Sequence, residues 1–163
     1  MKKWFLIIIC SCLANICLAQ VDSSLVYLRF PTIPPFSITK VPDSTKFTKD
    51  DLAKKKATLI FIFSPDCEHC QLETRALLDH IKLFKKVQII MASPLEHEHI
   101  KQFYELFKID KYPNIIMGRD PTNFFGSFYK VMTFPSIFLY NKKGKFVKAF
   151  DGTVPVEKIA EFL

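Results

Sequence analysis

Residues 61–74 read FIFSPDCEHCQLET: an apolar run, a break at Ser64-Pro65-Asp66, then two cysteines, Cys67 and Cys70, bracketing Glu68 and His69. Such a pair serves as a redox centre, as half of a metal site, or as a structural staple. The surroundings separate these readings. Ala57–Phe63 (ATLIFIF) shows no polar alternation, the pattern of a strand buried on both faces. From about Cys67 to Phe84 the spacing turns helical, with Leu72, Ala76, Leu77, Ile81 and Phe84 on one side. Cys67 therefore falls at a strand-to-helix junction, where unpaired backbone N–H groups and the positive end of the helix dipole favour thiolate over thiol. Cys70 sits one turn further in. This spacing suits thiol–disulfide exchange, in which Cys67 forms a mixed disulfide and Cys70 resolves it. His69, when protonated, would stabilise the Cys67 thiolate; Glu68 and Asp66 would oppose it, so the redox direction stays open. Glu73, three residues after Cys70 and on the helix face of positions 69 and 70, is placed to take or deliver a proton.

The chain around the motif narrows the choice further. It has 163 residues, 49% apolar, with 17 Phe against 4 Gly, a composition of one folded domain rather than of a disordered chain. Lys2 and Lys3 precede the uncharged apolar stretch Trp4–Leu18, and Cys17 and Ala19 stand at −3 and −1 of a cut before Gln20. This is the layout of a secretory signal peptide over residues 1–19, too short to span a bilayer comfortably; an uncleaved anchor is the alternative and the one route to a membrane. Removal of the signal takes Cys10, Cys12 and Cys17 with it, so both remaining cysteines lie in the motif. A staple would use more pairs at longer spacing. The net charge of +7 is spread over lysine runs at 54–56, 85–86 and 142–143, a solvated basic surface without the aromatic and arginine stripe of a nucleic-acid binder.

Elsewhere, residues 20–30 alternate weakly, as an edge strand would, and the prolines at 31, 34, 35 and 42 predict an extended irregular segment. Thr48 or Asp50 caps a short helix that would bring Lys54–Lys56 near its C-terminal end. Val87–Ala92 is a second buried strand. Ser93-Pro94 opens a helix to about Lys108 with Ile100, Phe103, Tyr104 and Phe107 as its apolar stripe. A short strand at Pro113–Met117 and a helix from Asp120 to about Tyr129 follow. Ser136–Tyr140 and Lys145–Phe150 form a hairpin around Gly144, and Val156–Leu163 a final helix. The order implies an α/β fold, one mixed sheet flanked by helices. Thr133-Phe134-Pro135 precedes the Ser136 strand, and a proline opening a buried strand needs a reason, one being a cis peptide bond.

These motifs together, FSPDCEHC at the end of a buried strand, Val131 to Pro135 before an apolar strand, Asn141 to Gly144 and Asp151-Gly152, resemble the thioredoxin-like superfamily, in particular its exported thiol–disulfide oxidoreductase and redoxin branch. The resemblance covers about residues 41–163 of a domain spanning 20–163. It implies a thioredoxin-like mixed sheet, with the long path from Cys70 to Pro135 matching a strand–helix insertion before a cis-proline. It implies Cys67 as nucleophile, Cys70 as resolving thiol, Pro135 packed beside the pair, and Thr133 and Phe134 at the substrate's extended chain. Branch members often carry a glutamate where Glu73 stands. Three features depart from the pattern: Asp66 replaces the usual aromatic before the first cysteine, Phe61 replaces the buried acid of thioredoxins, and Glu68-His69 is neither of the familiar dipeptides.

The expectation is thus an exported, most simply periplasmic, monomeric thiol–disulfide oxidoreductase, needing no cofactor beyond the Cys67–Cys70 disulfide. Its partners would be protein thiol and disulfide clients and an upstream redox partner. The alternative is a thioredoxin-like copper carrier, because cuprous copper suits thiolates and His97 and His99 supply further donors. A structural zinc site wants four ligands and the motif offers two. A peroxidase would place a threonine before a single reactive cysteine, which Asp66 and Cys70 do not match.

Overall fold

Every residue from Ala57 to Ile62 is buried, and alternate side chains enter two different cores. Leu59 and Phe61 join one core, Ile60 and Ile62 the other, as the two-residue period of a strand between two helical layers requires. The computed structural model describes residues 25–163. In chain order its elements are α1 (Val26–Arg29), β1 (Ser37–Lys40), β2 (Lys46–Thr48), β3 (Ala57–Ile62), α2 (Glu68–Asp79), β4 (Val87–Ser93), α3 (His97–Leu106), β5 (Ile115–Arg119), α4 (Phe124–Tyr129), β6 (Ser136–Tyr140), β7 (Phe146–Asp151) and α5 (Val156–Ala160).

The strands form one seven-stranded mixed sheet in the order β2-β1-β5-β4-β3-β6-β7. The central strands β3, β4 and β5 are parallel; β6 runs antiparallel to β3, and β1 antiparallel to β5. The β5–α4 pair lies between the cysteine helix and Pro135, where the sequence predicts a strand–helix insertion. Gly118 in β5 permits the β1 contact, since a Cβ there would meet the Thr39 carbonyl oxygen at 2.6 Å. One layer, packed on Leu59, Phe61, Ile89 and Leu139, comes from α2, α3 and α5 through Cys70, Leu77, Phe103 and Ile159. The opposite layer comes from α1 and α4, with Phe125 and Tyr129 against Phe138 and Tyr140.

Several sequence expectations give way to tertiary packing. The signal segment 1–19 and residues 20–24 of the proposed edge strand lie outside the described residues. The rest of that strand is a helical turn, because Tyr27 inserts among the rings of Tyr129, Phe138 and Phe146 at centroid distances of 5.2–5.6 Å. The proline-flanked segment is not wholly irregular: Ser37–Lys40 pairs on both sides. Thr48 and Asp51 form a capping box, yet the turn they cap stops at Asp51, so Lys54–Lys56 lie beyond any helix end. Leu72 is exposed; the buried face of α2 is Cys70, Glu73, Thr74, Leu77 and Leu78. Ser93 stays in β4 and α3 starts at His97.

Candidate active site

β3 ends at Ile62, and the chain breaks out of the sheet through Ser64-Pro65-Asp66 before α2 begins. The side-chain amide of Gln71 donates to the Pro65 carbonyl at 2.9 Å and braces this break from the first turns of the helix. Cys67 is the residue that caps α2. Its backbone is extended (φ −86°, ψ 115°), and its Sγ accepts the Cys70 N–H at 3.4 Å. One of the otherwise unpaired helix-start donors thus points at sulfur. Cys67 is half-buried, Cys70 fully buried, and both are free thiols.

The other wall is set by strand register. Ile62 pairs with Ser136, so the residues preceding β6 lie against the residues following β3. The Cys67 thiol lies 3.7 Å from the Phe134 carbonyl oxygen, to which it donates. The Phe134–Pro135 peptide bond is cis, Pro135 is buried, and Thr133 and Phe134 are exposed at the rim. Ser136 Oγ lies 2.8 Å from the Thr133 carbonyl and 3.0 Å from Asp151 Oδ1, and the Gly152 N–H donates to the Pro135 carbonyl at 2.8 Å. The segment over the cysteines is therefore held from β7.

Burial separates the titratable groups. Desolvation pushes the Cys70 thiol well up; the nearby Cys67 and Glu73 add to this, and a backbone hydrogen bond from Ser64 works against it. Glu73 is 1% exposed, and burial pushes its carboxyl up to about 7 from 4.5, against the downward pull of the Val154 N–H that donates to Oε2 at 3.2 Å. Its Oε1 has no hydrogen-bond partner among the described residues. A buried carboxyl with a free oxygen next to a buried thiol can hold or pass one proton near neutral pH. Because Phe61 in β3 is apolar and fully buried, this carboxyl reaches the cysteine core from the helix instead of the strand.

Not every candidate joins the site. Glu68 and His69 are exposed, so His69 does not share the buried face of Cys70 and Glu73. His97 lies 3.4 Å from Ser44 Oγ, and His99 lines a cleft with Asp66 and Leu106. Among the described residues no three His, Cys, Asp or Glu side chains form a group that could hold a metal ion, so neither histidine converges on the cysteines. The sequence reading missed Gln71, Ser136 and the Val154 N–H. Asp151-Gly152 was the available signal for the last two, since a turn there returns the chain past the cysteine helix.

The family described as the thioredoxin-like domain matches residues 47–163. No curated protein matches the sequence. Among solved structures, the fold is similar to a secreted disulfide oxidoreductase of Mycobacterium tuberculosis homologous to the DsbE of Escherichia coli (TM-score 0.65, 14% identity, covering 78% of this chain and 92% of that one). It is also similar to StoA of Bacillus subtilis (0.58, 18%, 81% and 98%) and to the exposed lipoprotein thioredoxin of Streptococcus pneumoniae (0.61, 19%, 80% and 100%).

Proposed function

The chain belongs to the thioredoxin-like domain family, and from that premise we propose that it is an exported thiol–disulfide oxidoreductase acting on protein thiols and disulfides. The observation that carries this reading is the unequal environment of the two sulfurs: Cys67 half-buried and facing the Cys70 N–H at the helix start, Cys70 sealed beside Glu73. Export is supported by the charged and apolar pattern of residues 1–19 and by the secreted and surface-exposed proteins that share the fold.

In the reducing direction the Cys67 thiolate attacks one sulfur of a client disulfide. That S–S bond breaks, the other client sulfur leaves as a thiolate and takes a proton, and a Cys67–client disulfide forms. The client's extended chain lies along Thr133 and Phe134 at the rim. Cys70 then gives its proton to Glu73, and its sulfur attacks Cys67 Sγ. The client leaves as a thiolate and takes up a proton. Two electrons have moved to the client, and the Cys67–Cys70 disulfide remains. Oxidation of a client dithiol is the same sequence reversed, and the reduction potential of the pair against its upstream partner sets the direction. Burial of Cys70 keeps the resolving thiol neutral until a base is close, which gives Glu73 its task.

The test is trapping with Cys70→Ser in cells, followed by non-reducing electrophoresis and identification of the trapped chains. The expected outcome is accumulation of mixed disulfides through Cys67. A folded variant that accumulates none, under conditions where the wild type cycles between dithiol and disulfide, refutes the reading.

A further inference from the structure

We propose that the end of the domain opposite the cysteines is a docking surface for an anionic lipid bilayer. The three lysine runs that look dispersed in sequence meet there because of strand register. Ala57, at the start of β3, pairs with Val87, at the start of β4; Thr58 pairs with Tyr140, the last residue of β6. Lys54–Lys56 precede the first of these strands, Lys85 and Lys86 the second, and Lys142 and Lys143 follow the third. Parallel β3 and β4 and antiparallel β6 thus place all three runs at one end of the sheet, and all these lysines are exposed.

The surface between them is concave, and no Asp or Glu side chain is among the residues that line it. One hollow is lined by Lys56, Lys85 and Lys111 with Tyr112 and Pro113. The next shares Lys85 and adds Lys82, Lys86 and Lys142 around Leu83 and Leu163. The third shares Lys142 and Leu163 and adds Lys143 and Phe162. No Asp or Glu lines any of the three, and Asp79, Glu157 and Glu161 of the adjoining helices are outside them. Amid these cations stand half-exposed apolar side chains: Leu83 at 50%, Leu163 at 41% and Phe162 at 39%.

That mixture decides the occupant. A free phosphate would use the ammonium groups and leave the apolar side chains wet. A bilayer of anionic lipids uses both, with headgroups on the lysines and Leu83, Phe162 and Leu163 at the acyl boundary. Thr32 bridges Lys145, the Pro31 carbonyl accepts the Phe146 N–H at 2.9 Å, and the Ile33 N–H donates to the Gly144 carbonyl at 3.2 Å. Residues 31–33 are thereby fastened beside the same hairpin turn. Docked by this end, the domain holds Cys67 one strand length from the lipid, roughly 20 Å, and facing away from it.

The experiment is flotation of the full chain with vesicles of phosphatidylcholine alone and with about one third phosphatidylglycerol added. Binding to the neutral vesicles reports the apolar N-terminal stretch; the increment on the anionic vesicles reports the lysine face. The expected increment is about tenfold or more at low salt, lost at high salt and lost in K85E/K86E/K142E/K143E, and kept in the corresponding Lys→Arg set. Lysine acetylation read by mass spectrometry gives a second readout that saturated flotation does not mask. Lys82, Lys85, Lys86 and Lys142 should be protected by anionic vesicles and not by neutral ones, while Lys49 and Lys101 stay reactive in both. Equal binding to the two vesicles together with no selective protection overturns the proposal, as does an increment that the Glu variant retains.

Discussion

β3 joins two ends that work by opposite physics. Beyond Ile62, the proposed exchange rests on taking few groups out of water: Cys70 and Glu73 are buried, and their proton affinities rise for that reason. Before Ala57, the proposed docking rests on leaving many groups in water: the lysines there are exposed, and their effect is the sum of a shared field. A buried site is therefore expected to fail on loss of one atom. A charged face is expected to fail gradually, by charge count and by salt.

The sharpest way to break this contrast is at Cys67. Cys67→Ser should reduce exchange with a peptide disulfide by about 10³-fold or more, since a serine hydroxyl is protonated at neutral pH and cannot form the mixed disulfide. The same variant should float with anionic vesicles as the wild type does. Rates from thiol quench and separation by mass check the first part. A lysine-face variant should show the reverse pattern, with exchange in solution unchanged; a joint loss in either variant would mean that the ends are coupled.

Glu73→Gln tests the buried end by a smaller margin. In its proposed role as proton acceptor for Cys70, Glu73 should matter most in resolution, which is expected to slow about 10²-fold with little change in the Cys67 attack step. The pH dependence of resolution governed by a group near 7 should disappear with it. Stability gives an independent sign. The folded state binds the Glu73 proton more tightly than the unfolded chain does, so its contribution is fully present below about 4.5 and is lost as the pH rises to about 7. Wild type should therefore lose on the order of 3 kcal/mol across that window, and the Gln variant should lack that slope. Urea titrations at the two ends of the window decide it; a Gln variant less stable than wild type above pH 7 would show that Glu73 is held for its charge.

The two ends also differ in how far the sequence discloses them. The cysteine end was legible because its determinants are local: an apolar run, a break, two cysteines and Glu73 lie within one strand–helix unit, and helical spacing alone puts Cys70 and Glu73 on one face. What escaped notice there comes from afar, Ser136 and the Val154 N–H being brought in by β6 and β7. Of the apolar face Leu72, Ala76, Leu77, Ile81 and Phe84, only Leu72 stays outside the core, because the polar Glu73 and Thr74 share the buried side with Leu77, which hydrophobic spacing hides. The lysine end reads in the sequence as dispersed charge, since runs separated by tens of residues converge only once register is known. α1 reads as part of an edge strand for a related reason: the rings that receive Tyr27 belong to α4, β6 and β7.

The smallest expected effect lies where the long-range and local parts of the site meet. Ser136 is fully buried, and its one hydroxyl proton is divided between the Thr133 carbonyl and Asp151 Oδ1. Thr133 and Asp151 are themselves exposed, so water can satisfy both once the hydroxyl is gone. Ser136→Ala should then cost only about 1 kcal/mol in urea titration. The Thr133–Pro135 segment would keep its main-chain tie, the Gly152 N–H to the Pro135 carbonyl, and lose its side-chain one. With Phe134 less firmly placed against Cys67, exchange should slow about 3- to 10-fold, through the attack step that Glu73→Gln spares. If stability falls and attack on the client disulfide is untouched, the main-chain tie alone positions the rim, and the site depends on β7 only through Gly152.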